Sequence, residues 1–175
     1  DIHGPIERFA RWHHMKNLRR KLDAGAANMN TATLSAKQEI TERLHDYVRA
    51  MDRMDDELGY SVFHADAVAD YGTMYQGTGH GFVDFVHVAH QAMLVHTHQL
   101  GGVTIRVDGE RAVSESYVTA TLRGRAPDGA LFEIRSCGRY LDRWEKRAGR
   151  WAAVACRGSA RASSPPGAVS APSRS

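Results

Sequence analysis

Two closely spaced histidines are the residues of this sequence with the clearest potential for acid–base chemistry. His96 and His98 lie in the segment MLVHTHQLGGVTIRV (93–107), which has the composition of a β-strand. Alternate side chains of a strand share one face, so we expect both imidazoles to point the same way. A single strand histidine is usually a hydrogen-bonded part of the core. Two on one face favour the lining of a polar feature such as a cavity.

Asp52 is the carboxylate that could accompany them. It lies four residues after Val48 and eight after Leu44, at the shoulder of an apolar helical stripe. A carboxylate in that position is partly desolvated unless it is paired. The alternative is a boundary residue that reaches water or caps the next helix, and the pattern alone leaves both interpretations open.

A metal centre is the other chemistry that histidines suggest. His87 and His90 are one helical turn apart, and His96 and His98 share a strand face. Zinc or iron needs a third ligand, commonly a carboxylate or a cysteine, and no spacing here supplies one. We therefore expect no metal and no other cofactor, and we expect His87 and His90 to form a solvated or interface pair.

Helices are predicted in the first half of the chain. A long apolar stripe predicts the first helix, and Ser35 with Gln38 resembles a capping box at its start. Asp55 is expected to cap a second, short helix. The segment AVADYGTMYQG (67–77) has the pattern of a strand. The segment FVDFVHVAHQAM (82–93) has that of a helix, with one buried side formed by Phe82, Phe85, Val86, Ala89 and Met93.

Strands are predicted from Leu94 onward, because β-branched and aromatic residues alternate between turn signals. Asp108-Gly109, Pro127-Asp128-Gly129 and Ala148-Gly149 are typical of hairpins. Helices followed by long strands indicate an α+β fold. The first helix offers the only large apolar face, so we expect a curved antiparallel sheet wrapped around the N-terminal helices, with a cone-shaped pocket between them.

Composition divides the 175 residues into three parts. Residues 1–33 form a basic extension and a linker, residues 34–158 the folded domain, and residues 159–175 a small, polar, proline-rich tail that is expected to be disordered.

The charge, hydropathy and cysteine content exclude several classes of protein. A formal net charge of +3 is too small to indicate nucleic-acid binding. No apolar run approaches the roughly 20 residues that span a bilayer. With only Cys137 and Cys156, a disulfide framework is not expected, and a reducing cytoplasm is the simplest location.

The order of these elements resembles the SnoaL-like branch of the nuclear transport factor 2-like superfamily, whose fold is an α+β cone. The matching segments are RLHDYVRAMDRMDDELGYSVFHADAVADYG, YQGTGHGFVDFV, HTHQLGGVTIRVDGERAVSESYV and GRYLDRWEKRAGRW. The resemblance covers roughly residues 35–152. The single motifs are loose, and their order and spacing carry the match.

The resemblance assigns roles to five residues. Enzymes of this branch, such as scytalone dehydratase, hexachlorocyclohexane dehydrochlorinase and bile acid dehydratase, pair an Asp on the first helix with a His on a strand. Asp52 and His98 fall at those positions. Tyr47 matches a pocket tyrosine of the dehydratases, Arg157 stands near an arginine of some relatives, and His96 is expected to face the same pocket. Gly102 departs from the family, which often has Asn there.

Two functions follow from the resemblance. The first is a cofactor-independent lyase, or a related isomerase or cyclase, that acts on a small hydrophobic and cyclic substrate through an Asp–His general base. The second is a non-catalytic binding or assembly subunit, like the small subunit of ring-hydroxylating dioxygenases. Homodimers and homotrimers are both common in the superfamily, so we expect one of these assemblies.

Overall fold

The computed structural model describes residues 31–162 and 167–168. Residues 1–30 of the predicted extension and linker (1–33) lie outside the described residues, as does most of the predicted tail. Contacts divide the chain into residues 1–34 and residues 35–175, and the second unit holds the helices and strands that carry the candidate site. Within the described ranges, no helix is both long and apolar enough to cross a membrane.

Two helices begin the described chain. Helix α1 (Thr31–Arg53) has its buried face at Ala36, Ile40, Leu44, Tyr47, Ala50 and Met51. The predicted capping box is wrong, because the helix is already formed at Thr31 and the Ser35 hydroxyl bonds the Glu39 carboxylate one turn on (3.1 Å). Helix α2 (Asp56–Ser61) has Asp55 as its N-cap, as predicted, and the Asp55 carboxylate accepts the Leu58 amide (3.0 Å).

A short hairpin and a third helix follow. Strand β1 (Phe63–Asp70) pairs antiparallel with β2 (Gln76–Thr78), so the segment predicted as one strand contains a turn. Helix α3 (Gly79–Gln91) starts after the Thr78 cap. Its predicted buried side is wrong in part: Phe85 and Ala89 are exposed, while His87 and His90 are buried. The buried face of α3 therefore includes His87 and His90 near the C-terminal end of the helix.

Four long strands form the rest of the sheet, joined by the three predicted hairpins. They are β3 (Val95–Asp108), β4 (Arg111–Arg125), β5 (Leu131–Arg147) and β6 (Arg150–Ala162). The Ala148-Gly149 turn has positive φ at both residues (49° and 80°), the geometry of a two-residue hairpin. Strand β6 extends into the segment predicted to be disordered, and β7 (Gly167–Ala168) pairs with β5.

The strand order is β2-β1-β6-β5-β4-β3, with β7 beside β5. All neighbouring strands are antiparallel except β1 and β6, which are parallel. The result is the predicted α+β architecture, helices followed by a curved and unclosed sheet, with a mixed rather than wholly antiparallel sheet. The parallel pair joins strands far apart in sequence, so no turn signal announces it.

The core lies between α1, α3 and the concave side of the sheet. Its largest fully buried apolar side chains are Trp144, Ile40, Met51 and Val83. The ring of Tyr71 stacks on Phe82 with centroids 3.8 Å apart, and it covers Gly158 of β6. A glycine is required there, since an added Cβ would lie 2.1 Å from a Tyr71 ring carbon.

We expect Gly158→Ala to destabilise the fold by about 1–3 kcal/mol, because the Tyr71 ring is held on Phe82 and can move only by losing that stacking. Urea denaturation measures this free energy of unfolding. Gly102→Ala is the matched control, since an added Cβ at this strand glycine meets nothing within 4 Å. Equal stabilities of the two variants would contradict the packing described for Tyr71.

Candidate active site

Asp52 and His98 form the central contact of the candidate site. The His98 ring nitrogen Nδ1 lies 2.7 Å from Asp52 Oδ1, and the His98 backbone N–H donates to Asp52 Oδ2 at 3.0 Å. Both carboxylate oxygens therefore bond the same residue. The backbone bond is available because β3 is the last strand in the sheet order, so alternate amides point away from β4.

This double contact determines which ring nitrogen can act as a base. With Asp52 ionised, Nδ1 carries a proton and donates it to the carboxylate, so neutral His98 has its lone pair on Nε2. The hydrogen bonds of His98 in the described part of the chain use its backbone N–H and Nδ1, which leaves Nε2 for a substrate. The His98 side chain is 8% exposed and that of Asp52 is 26% exposed, which agrees with the predicted shoulder position of Asp52. The pair can thus accept a proton at Nε2 and stabilise the resulting imidazolium.

His90 of α3 packs against both strand histidines. Its ring stacks on His96 with centroids 4.6 Å apart and lies 5.5 Å from the His98 ring. Burial, followed by the neighbouring His98 and His96 rings, lowers the pKa of His90 to about 4. His96 and His98 share one face, as predicted, and both rings face His90. Because its pKa is lowered to about 4, His90 is uncharged at neutral pH.

A second Asp–His pair joins α3 to α2. His87 Nδ1 contacts the Asp56 carboxylate, and the His87 side chain is 6% exposed. The prediction of a solvated or interface His87–His90 pair is wrong, because both residues are buried within the chain itself. Across residues 31–162 and 167–168, no group of three or more His, Cys, Asp or Glu residues is arranged to hold a metal ion.

The cavity of the cone is small. Measured as the space open to the centre of a water-sized sphere, its volume is about 20 Å³, enough for one such group. Tyr47, one of the predicted substrate-binding residues, lines this cavity and packs edge-on against Phe63 and Tyr140. The full lining is Leu44, Tyr47, Val62, Phe63, Tyr71, Tyr140, Asp142, Trp144, Ala153 and Cys156.

Asp142 is the only carboxylate in that lining. It is 6% exposed, and its Oδ2 accepts a hydrogen bond from Ser114 Oγ (3.2 Å). Burial raises the pKa of Asp142 to about 7, and the Ser114 bond offsets this only in part. Burial also raises the pKa of Tyr47, Tyr71 and Tyr140, so their hydroxyls stay protonated. The cavity wall is therefore mostly apolar, although three tyrosines and the Asp142 carboxyl belong to its lining residues.

The other predicted site residues lie outside this cavity. Asp52, His96 and His98 are not among its lining residues. Arg157 lies on β6 with its guanidinium bonded to the Asp70 carboxylate (2.7 Å), and its side chain is 48% exposed. Burial raises the pKa of Tyr140 most, followed by Asp142 in the cavity lining, with a smaller effect of Asp52 outside it.

Sequence reasoning missed Asp142 and its neighbours. The available signal was the alternation of Tyr140, Asp142 and Trp144, which places an acid between two aromatic residues on one face of β5. His90 was missed as a neighbour of His98 because the helical stripe was assigned to the wrong face.

Comparisons with known proteins agree with this architecture. A family described as the SnoaL-like domain matches residues 32–157. A putative scytalone dehydratase from Novosphingobium aromaticivorans aligns with 73% of this chain and 85% of its own, at 20% identity and a TM-score of 0.64.

Two further solved structures are similar. A type 2 hexachlorocyclohexane dehydrochlorinase aligns with 79% of this chain and 95% of its own, at 16% identity and a TM-score of 0.65. A nuclear transport factor 2-like protein from Salmonella enterica aligns with 73% and 92%, at 25% identity and a TM-score of 0.63. No curated protein sequence matches the chain.

The lowered pKa of His90 predicts acid sensitivity. In the unfolded chain this imidazole takes up a proton near pH 6.5, whereas in the folded chain it does so only near pH 4. The unfolded state binds more protons in this window, so stability is lost as the pH falls from 6.5 to 4. We expect His90→Phe, which keeps an aromatic ring, to reduce that loss.

Urea denaturation at several pH values between 7 and 4 measures the effect. His45→Phe is the control, since His45 is exposed on α1 and its replacement should leave the slope unchanged. A His90→Phe protein that loses as much stability as the unmodified protein on acidification would contradict the burial of a neutral His90.

Proposed function

The chain belongs to the SnoaL-like domain family, and we propose that it is a cofactor-independent lyase in which His98 is the general base and Asp52 orients it. The observation that carries this proposal is the double hydrogen bond from one residue, His98, to both oxygens of one carboxylate, Asp52. That contact leaves Nε2 as the proton acceptor and holds the ring in one orientation.

The proposed reaction is an elimination. His98 Nε2 takes a proton from a substrate carbon, the electron pair of the C–H bond becomes a double bond, and the adjacent leaving group departs with its own bonding pair. Asp52 stabilises the imidazolium that forms. General base catalysis of this kind contributes typically 10²–10⁴-fold to the rate. Two structural neighbours are named as a dehydratase and a dehydrochlorinase, which supports an elimination.

The substrate we propose is a small, hydrophobic and uncharged ring compound. The cavity wall supports this choice, because it offers aromatic rings and hydroxyl groups and no lysine, arginine or histidine. Isomerisation or cyclisation of such a compound would use the same base. The remaining predicted binding residues, His96 and Arg157, have other contacts, with His90 and Asp70 respectively.

The size of the cavity favours a second candidate function. A space of about 20 Å³ does not hold a ring unless side chains move. A non-catalytic subunit that uses the cone as a scaffold would have such a filled interior. The two functions differ in what they expect of His98, which is a catalyst in the first and a structural residue in the second.

We expect His98→Ala to lower kcat/KM by about 10²–10⁴-fold and Asp52→Asn to lower it substantially, since the amide removes the charge that stabilises the imidazolium. A panel of β-hydroxy ring ketones, assayed for loss of water by mass spectrometry, supplies the substrate. Circular dichroism confirms that each variant is folded.

Asp56→Asn is the matched control, because it alters the second Asp–His pair while leaving His98 untouched. We expect its kcat/KM to stay within about threefold of the unmodified protein. Turnover by the unmodified protein that His98→Ala leaves unchanged would refute the proposed base. Absence of turnover across the whole panel would favour the scaffold function.

A further inference from the structure

Asp142 is a buried acid that the proposed elimination does not use. It lies on the cavity wall, 6% exposed, and no arginine, lysine or histidine is among the residues that line the cavity with it. An ionised carboxylate without a cationic partner is costly in such a place. The carboxyl group therefore keeps its proton at pH values where an ordinary aspartate is ionised, and it is then a hydrogen-bond donor as well as an acceptor.

A chain of hydrogen bonds decides which oxygen of Asp142 carries the proton. The indole N–H of Trp144 donates to Ser114 Oγ (2.9 Å), so the hydroxyl hydrogen of Ser114 is free to point to Asp142 Oδ2 (3.2 Å). Oδ2 is thus the accepting, carbonyl-like oxygen. The proton then lies on Oδ1, the oxygen that the Ser114 hydrogen bond leaves unused.

The surroundings of Oδ1 keep it in this state. The titratable groups that face Asp142 from the packed elements are hydroxyls and one thiol, and burial raises the pKa of each, so all are uncharged near neutral pH. They are Tyr47 of α1, Tyr71 after β1, Tyr140 of β5 and Cys156 of β6. Ser114 of β4 and Trp144 of β5 are the non-titrating neighbours.

We propose that Asp142 is the hydrogen-bond donor of an oxygen-binding subsite, which takes the carbonyl or hydroxyl oxygen of an uncharged ring compound. The cavity has room for one water-sized group, which matches a terminal oxygen and not a ring. The ring itself lies outside this space. This inference rests on the proposed function, because the oxygen that binds at the subsite belongs to the substrate of the proposed elimination.

An ammonium group is the competing ligand for an acid surrounded by aromatic rings. It would need Asp142 ionised, which the absence of any cation in the lining opposes, whereas an oxygen ligand needs Asp142 protonated. The two ligands therefore have opposite pH dependences. An oxygen ligand binds more weakly as the pH rises through the pKa of Asp142, and an ammonium ligand binds more tightly.

Binding of cyclohexanone, followed by calorimetry at pH 5.5 and pH 8.5, tests the proposal. With the pKa of Asp142 at about 7, we expect an affinity about 30-fold lower at pH 8.5, because only a few per cent of the acid remains protonated there. The infrared C=O stretch of the bound ketone should shift to lower frequency at pH 5.5, as a strong donor bond requires.

Asp142→Asn keeps the size and a neutral donor but cannot ionise. We expect its affinity for cyclohexanone to stay within about threefold at both pH values. Asp142→Leu, which has no donor, should bind at least tenfold more weakly at pH 5.5 and leave the C=O stretch unshifted. Thermal unfolding checks that both variants fold, and the Asn variant alone carries the test if the Leu variant does not.

Three results would overturn the subsite. They are an affinity of the unmodified protein that is equal at pH 5.5 and 8.5, an unchanged pH dependence in Asp142→Asn, and a tighter binding of cyclohexylamine at the higher pH. His98→Ala separates this inference from the proposed function. It should lower kcat/KM by about 10²–10⁴-fold while leaving the pH-dependent binding of cyclohexanone intact, so each claim can fail alone.

Discussion

The pair of hydrogen bonds between Asp52 and His98 fixes α1 against the edge of the sheet. One bond goes to the ring and one to the backbone, so the carboxylate holds both the side chain and the strand. Hydrogen bonds to a charged group contribute about 1.5–3 kcal/mol each. They also occupy an amide of β3 at the sheet edge, where an unpaired strand would invite association with another chain.

Burial shifts the pKa values of two groups in opposite directions: His90, which packs on the strand histidines, and Asp142, which lines the cavity. It lowers the pKa of His90 to about 4 and raises that of Asp142 to about 7, so His90 is uncharged at neutral pH and Asp142 is largely uncharged at mildly acidic pH. Three buried ring nitrogens in this region have no hydrogen-bond partner among the described residues: His87 Nε2, His90 Nδ1 and His96 Nδ1. Each such atom costs about 1–3 kcal/mol. Groups with pKa values displaced in opposite directions are typical of sites that need an acid and a base side by side.

Much of the fold could be predicted from local sequence. Turn residues such as Asp108-Gly109 and Ala148-Gly149 predict the hairpins. The apolar face of α1 predicts the surface against which the sheet packs. Pairings between distant strands have no such signal, which is why the parallel β1–β6 pair was missed. The pairing of Asp52 with His98 is predicted only through a family resemblance. The two residues are 46 positions apart in the sequence, and no local pattern connects them. The buried face of α3 was misjudged because histidines were counted as polar, although a neutral imidazole packs well in a core.

The narrow interior of the cone does not by itself separate an enzyme from a scaffold. A scaffold needs only a filled core, and apolar side chains fill one at lower cost than an acid and three tyrosines. The polar groups here include Asp142 in the cavity lining and Asp52 outside it, and both raise the pKa of Tyr140. In the proposed reaction, a substrate whose oxygen is bound by Asp142 has its reacting carbon at the partly exposed Asp52–His98 pair, which is not part of the cavity lining. The deep space then holds one end of the substrate, and its small volume is consistent with catalysis at the other end.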